Sequence, residues 1–184
     1  MHRIVVGLFC AALLAGCGKP TAEEYLQQAM EAEQKARQAD DTLRTPEQRR
    51  ELFLPVVEAY ERVIAEYPDS QAVQSALFRQ ATLYNNDLQD YARAIDGYRK
   101  CAEKFPGSDK AAVSLFLMGY IYNNQLGQLD SARAAYERFL QRYPDHEMAI
   151  SAQFELNSLG KSPDELLPKE EAHAGNVKSA PKKK

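Results

Sequence analysis

From residue 56 to residue 144 the apolar side chains recur in steps of four and three. A small or β-branched residue is followed by tyrosine four places on, an apolar residue three later and proline five later. The sets are Val56-Tyr60-Val63-Pro68, Ala94-Tyr98-Cys101-Pro106 and Ala132-Tyr136-Phe139-Pro144. Such steps place the first three side chains on one face of a helix, whereas a half-buried strand alternates. Proline then ends the helix, because it has no N–H and disfavours helical geometry in the residue before it. Asp69-Ser70 and Gly107-Ser108-Asp109 follow as caps, their side-chain oxygens able to accept from the next helix's first N–H groups. The pattern predicts helices over 21–40 with 46–66, 71–87 with 90–104, 109–125 with 130–142, and a lone helix over 146–159. Pro55 is expected to kink or divide the second of them.

Equivalent positions share one constant offset: Tyr60, Tyr98 and Tyr136; Phe78, Phe116 and Phe154; Tyr84-Asn85-Asn86 and Tyr122-Asn123-Asn124. A period of this length marks a solenoid of one supersecondary unit, in which no hairpin buries its apolar stripe without a neighbour. Ala76, Ala81, Ala94, Gly119, Ala132 and Ala135 are expected at helix crossings, with the three tyrosines filling gaps between units. The lone helix is expected to pack Ile150, Phe154 and Leu159 on the preceding repeat and to turn Glu147 and Glu155 outward.

These residues resemble the tetratricopeptide repeat. Ala94-Tyr98-Pro106 and Ala132-Tyr136-Pro144 match its second helix; Gln80-Ala81…Tyr84 and Met118-Gly119…Tyr122 match its first. The period is 38 rather than about 34, and Leu77 and Leu115 stand where the family carries tryptophan. The resemblance implies an all-α, tetratricopeptide-like α-solenoid of about three helical hairpins plus a C-terminal capping helix, over residues 21–160.

The N-terminus reads as an address. His2-Arg3 precedes an apolar run from Ile4 to Leu14, shorter than the roughly 20 residues of a spanning helix and proportioned like a signal peptide. It ends in Leu14-Ala15-Gly16-Cys17, which resembles the bacterial lipobox. That resemblance implies a diacylglycerol thioether on Cys17, cleavage before it and acylation of the new N-terminus. Residues 1–16 are then a lipoprotein signal peptide, 17–20 the lipidated N-terminus and a short linker, 21–160 the repeat domain. No Asp follows Cys17, which implies the outer membrane, facing the periplasm. Residues 161–184, with Pro163, Pro168, Pro181 and the closing Lys182-Lys183-Lys184, have too few large apolar groups to offset chain entropy and are expected to be a disordered basic tail.

Composition narrows the chemistry. The 184 residues hold 23 Lys+Arg against 26 Asp+Glu, a net charge of −3, which argues against a general nucleic-acid binder. After the signal peptide the histidines are His146 and His173, without metal-ligand spacing, and no catalytic triad or carboxylate pair is discernible. Cys101 fills the position of Val63 and Phe139 and is expected in the core. No catalytic residue, metal or cofactor is therefore expected, apart from the covalent lipid on Cys17, and no small-molecule substrate.

Binding is what remains. First helices of stacked hairpins line the concave face, and the residues repeating there are Phe78, Phe116 and Phe154, Thr82 and Tyr120, and Asn85 and Asn123. Rings can cover apolar groups while amides satisfy a partner's backbone, as an extended peptide or partner helix requires. The alternative is that these Phe pack internally and the Asn end helices. Only Arg79 is basic in this set, so a clamp for a C-terminal carboxylate is not expected. Lipobox and Tyr-Pro or Phe-Pro repeats together look like the repeat lipoproteins of outer-membrane β-barrel assembly machines and the repeat domains of Tol–Pal-associated cell-division coordinators. That likeness implies envelope proteins as partners and a role in outer-membrane assembly or maintenance. A cell-wall or glycan-binding lipoprotein, or a helper subunit of an envelope hydrolase, is the alternative, because Phe78, Phe116 and Tyr120 also suit sugar rings.

Overall fold

The computed structural model describes residues 19–39, 44–161 and 165. Cys17, residues 1–16 and most of the 161–184 tail lie outside the described residues. Among those described, regular structure is all α-helical and tetratricopeptide-like: α1 (Ala22–Ala39), α2 (Pro46–Glu66), α3 (Ala72–Asn86), α4 (Tyr91–Lys104), α5 (Asp109–Asn124), α6 (Leu129–Arg142) and α7 (Ala149–Ser158). They fall into two compact units divided between Leu88 and Gln89.

In the first unit α1, α2 and α3 pack on one another. Their shared core holds Ala29 of α1, Phe53, Val56, Val57, Tyr60 and Val63 of α2, and Ala76 and Leu83 of α3. Capping boxes start two of these helices. Thr21 N donates to Glu24 Oε2 (2.7 Å) while Thr21 Oγ1 accepts from Glu24 N (3.2 Å). Thr45 and Gln48 do the same at 2.9 and 3.3 Å, with Pro46 as the first helical residue. Of the two outcomes expected at Pro55, division does not occur: α2 is one helix from Pro46 to Glu66 with Pro55 inside it. Pro55 and Glu51 are both exposed, so the carbonyl that loses its helical partner faces water.

In the second unit α4 packs on α5, α5 on α6 and α6 on α7. Leu115, Ile121, Tyr136, Phe139 and Cys101 are buried. Ser108 Oγ caps α5, accepting from Ala111 N at 3.1 Å. The same proline stop recurs in both units: Tyr67, Phe105 and Tyr143 have nearly identical backbones (φ −133, −127 and −133°; ψ 53, 54 and 54°). The turns before α4 and α6 repeat as well, with Gln89 at φ 51° and, one full period on, Gly127 at φ 63°. The backbone there is left-handed, which glycine adopts without penalty and glutamine does not.

The last helix departs from expectation twice. It begins at Ala149 rather than 146, because His146 Nδ1 accepts from Met148 N (3.1 Å) and holds a turn there. It also presents another face. Ala152 is fully buried, while Ile150 and Phe154 are 84% and 61% exposed and Glu155 is half-buried. Two helical residues are about 200° of rotation. Seating the small Ala152 inward therefore sends both large apolar neighbours to solvent, and Glu155 inward.

Candidate functional site

In the first unit α3 carries Phe78, Thr82 and Asn85, all half-buried. Thr82 Oγ1 donates to the Phe78 carbonyl at 2.9 Å, and Asn85 Nδ2 donates to Asn86 Oδ1 at 2.7 Å. The same unit has a groove of about 520 Å³ whose lining includes Gln27, Met30, Gln34 and Arg37 of α1 and Arg79 of α3, but not Phe78, Thr82 or Asn85. Arg79 is thus accompanied by a second cation, Arg37, from a helix outside the regular repeat.

A buried carboxylate organises that wall. Glu33 accepts from Tyr60 Oη (2.6 Å), Arg37 Nε (3.0 Å) and Arg79 Nη1 (3.2 Å), tying α1 to α2 and α3. Arg37 also holds Asp87 through both terminal nitrogens, each at 3.2 Å. Burial pulls the Glu33 carboxyl upward, but the hydrogen bonds from Tyr60 and Arg37 and the charges of Arg37 and Arg79 outweigh it, leaving it below its ordinary value. Burial, then Glu33, push the Tyr60 phenol up. Both cations are committed within the wall, so an incoming carboxylate would compete with Glu33 and Asp87.

In the second unit α5 carries Phe116, Tyr120 and Asn123, and α7 carries Phe154. Phe116 turns toward α6, its ring 5.6 Å from that of Tyr136 and 6.2 Å from that of Phe139. Tyr120 is 40% exposed, Asn123 half-buried, and the neighbouring Asn124 bonds back to the Tyr120 carbonyl at 3.1 Å. Among the described residues, the large apolar side chains open to solvent are Tyr120, Ile150 and Phe154, with Leu126 and Leu129 at the turn between α5 and α6. Ile150 does not stand out as a contact residue in the sequence, because a core position there fits the helical period equally well.

Other polar groups in this unit serve structure. His146 accepts at Nδ1, so its Nε2 carries the hydrogen donated to Asp109 Oδ1 (2.9 Å), and its ring stands edge-on to Phe139 at 5.6 Å. Burial raises the Cys101 thiol against the lowering effect of Ser114 and Lys110. Among the described residues no group of three or more His, Cys, Asp or Glu is placed to hold a metal ion. None of the described helices is long and apolar enough to cross a membrane.

Two segments match the tetratricopeptide repeat family: residues 75–108 and 113–146. Tetratricopeptide repeats generally mediate protein–protein interaction. The starts of the two matches are offset by the same period as the tyrosines and prolines. The first covers most of α3 and all of α4, the second most of α5 and all of α6. No curated relative matches the chain.

Proposed function

We propose that this protein is a non-catalytic, protein-binding scaffold lipoprotein of the bacterial envelope, anchored through Cys17 and facing the periplasm from the outer membrane. Its role there is in outer-membrane assembly or maintenance. The observation that carries the binding role is the exposed set Tyr120, Ile150 and Phe154 on a tetratricopeptide-like unit. Three large apolar side chains open to water on helices of one unit suit a partner that covers them. Anchoring is supported by the register of Arg3, the apolar run and Leu14-Ala15-Gly16-Cys17. Acyl chains contribute about 0.8 kcal/mol per buried methylene, so two or three hold the protein stably.

Crosslinking mass spectrometry on intact envelopes tests this reading. Crosslinks from α5 and α7 to other envelope polypeptides are expected, together with acyl mass on Cys17. Recovery of murein fragments in place of polypeptides would favour the glycan-binding alternative, and a soluble chain without acyl groups would refute the anchor.

A further inference from the structure

We propose that the first unit is held directly on the bilayer, with the end formed by the α1 N-terminus and the α2 C-terminus as its lipid-facing surface. This rests on the lipidation of Cys17 proposed above. The sequence suggests a linker within 17–20, yet Lys19 and Pro20 are clasped to the fold. Tyr67 Oη donates to the Pro20 carbonyl. Lys19 Nζ pairs with Glu66 Oε2 at 2.6 Å and sits 5.2 Å from the centre of the Tyr67 ring. Tyr25 packs on Tyr67 at 5.8 Å and is covered in turn by Arg62, 4.8 Å from its ring centre.

The second unit shows what kind of contact this is. There Tyr143 Oη donates to the Pro106 carbonyl at 2.7 Å. Tyr143 and Tyr67 both precede the proline that stops a second helix, and each reaches back to the proline carbonyl ahead of the first helix of its hairpin. Lys19-Pro20 thus fills the seat that Phe105-Pro106 fills later in the chain. It is the opening turn of the repeat architecture.

Only Gly18 separates that turn from Cys17, so the two α-carbons at 17 and 19 lie at most about 7 Å apart. A tether this short leaves the unit little freedom to drift from the acyl chains. By contrast α1 is 18 residues, about 27 Å, long, which carries Gln38 far from the anchor. The lipid-facing end carries Glu23, Glu24, Glu66 and Asp69 against Lys19 and Arg62. Attraction to anionic headgroups is therefore not what holds it, and a zwitterionic surface suffices.

The test uses the mature lipidated full chain in phosphatidylcholine vesicles containing a headgroup-attached quencher. Fluorophores are placed by Asp69→Cys or Gln38→Cys in a Cys101→Ala background of native helix content. Quenching at 69 is expected to exceed that at 38 at least threefold. Six Gly/Ser residues inserted between Gly18 and Lys19 should largely erase the difference while leaving the fold intact. Equal quenching at both sites in a chain shown by intact mass to be acylated would overturn this inference alone. A chain carrying no acyl group would overturn both it and the anchoring on which it rests.

Discussion

Tyr60 in the first unit and Tyr136 in the second occupy the same place in the repeat, and both are fully buried. Their hydroxyls meet opposite fates. Tyr60 donates to Glu33 inside a network that includes Arg37 and Arg79. Among the described residues Tyr136 Oη is buried with no hydrogen bond of good geometry; its phenol is pushed up first by burial and then by the Glu155 carboxylate, which approaches it without the close, aligned contact that Glu33 makes with Tyr60. Its ring instead lies so close to Gly119 that a Cβ there would stand 2.6 Å from Cε1. One unit is held in register by a polar latch, the other by a shape fit that admits no side chain. The same residue type at the same repeat position is therefore no guide to which interaction holds the helices together.

Substitutions separate the two devices. Gly119→Leu should overpack the second unit and cost about 3 kcal/mol, the upper end for an inserted side chain in a tight core, read as a lowered thermal midpoint. Glu33→Ala should cost about 2 kcal/mol, less than a fully buried pair would, because Arg37 and Arg79 are partly exposed and can turn to water. The tyrosine pair gives the sharpest contrast. Tyr60→Phe should cost about 1.5 kcal/mol, a hydrogen bond to a charged group, whereas Tyr136→Phe should cost less, about 0.5 kcal/mol or under, because its hydroxyl has only the looser approach of Glu155 to lose. Equal losses in denaturant titrations of the two variants would refute the distinction.

The latch also has a pH signature. Because the Glu33 carboxyl is held below its ordinary value, its contribution is complete above the unfolded carboxylate range, about pH 4.3, and is lost as pH falls through the lower folded value. The stability gap between wild type and Glu33→Gln should therefore shrink as pH is lowered from 7 to 3. A gap that persists undiminished would mean that Glu33 stabilises by packing alone. The smallest effect concerns the left-handed turn positions: Gln89→Gly should stabilise by about 0.5–1 kcal/mol and Gly127→Gln destabilise by a similar amount.

Helix order and the repeat period were legible because each second helix stops at proline, and a missing N–H leaves its mark in any context. Cys101 and the small residues at the crossings were legible for the same reason: the repeat supplies their equivalents. The groove beside α1 was not. The interval from Pro20 to Pro68 is longer than those from Pro68 to Pro106 and Pro106 to Pro144, so α1 has no counterpart whose pattern could expose its inner face. Glu33, on a polar helix, looks like any solvated carboxylate until folding brings Tyr60 and Arg79 to it. Hydrophobicity alone points to the wrong face of α7, because size outranks it there. Ala152 allows close approach to α6, and the larger Ile150 and Phe154 pass to the outside, where a partner can reach them.

The binding role stands or falls on that outside surface, and a photoreactive benzoylphenylalanine in place of Phe154, irradiated in living cells, addresses it directly. A discrete adduct heavier than the mature chain is expected, containing a second envelope polypeptide and lost when Ile150→Asp is added. An uncrosslinked chain, or adducts with murein alone, would contradict the binding role.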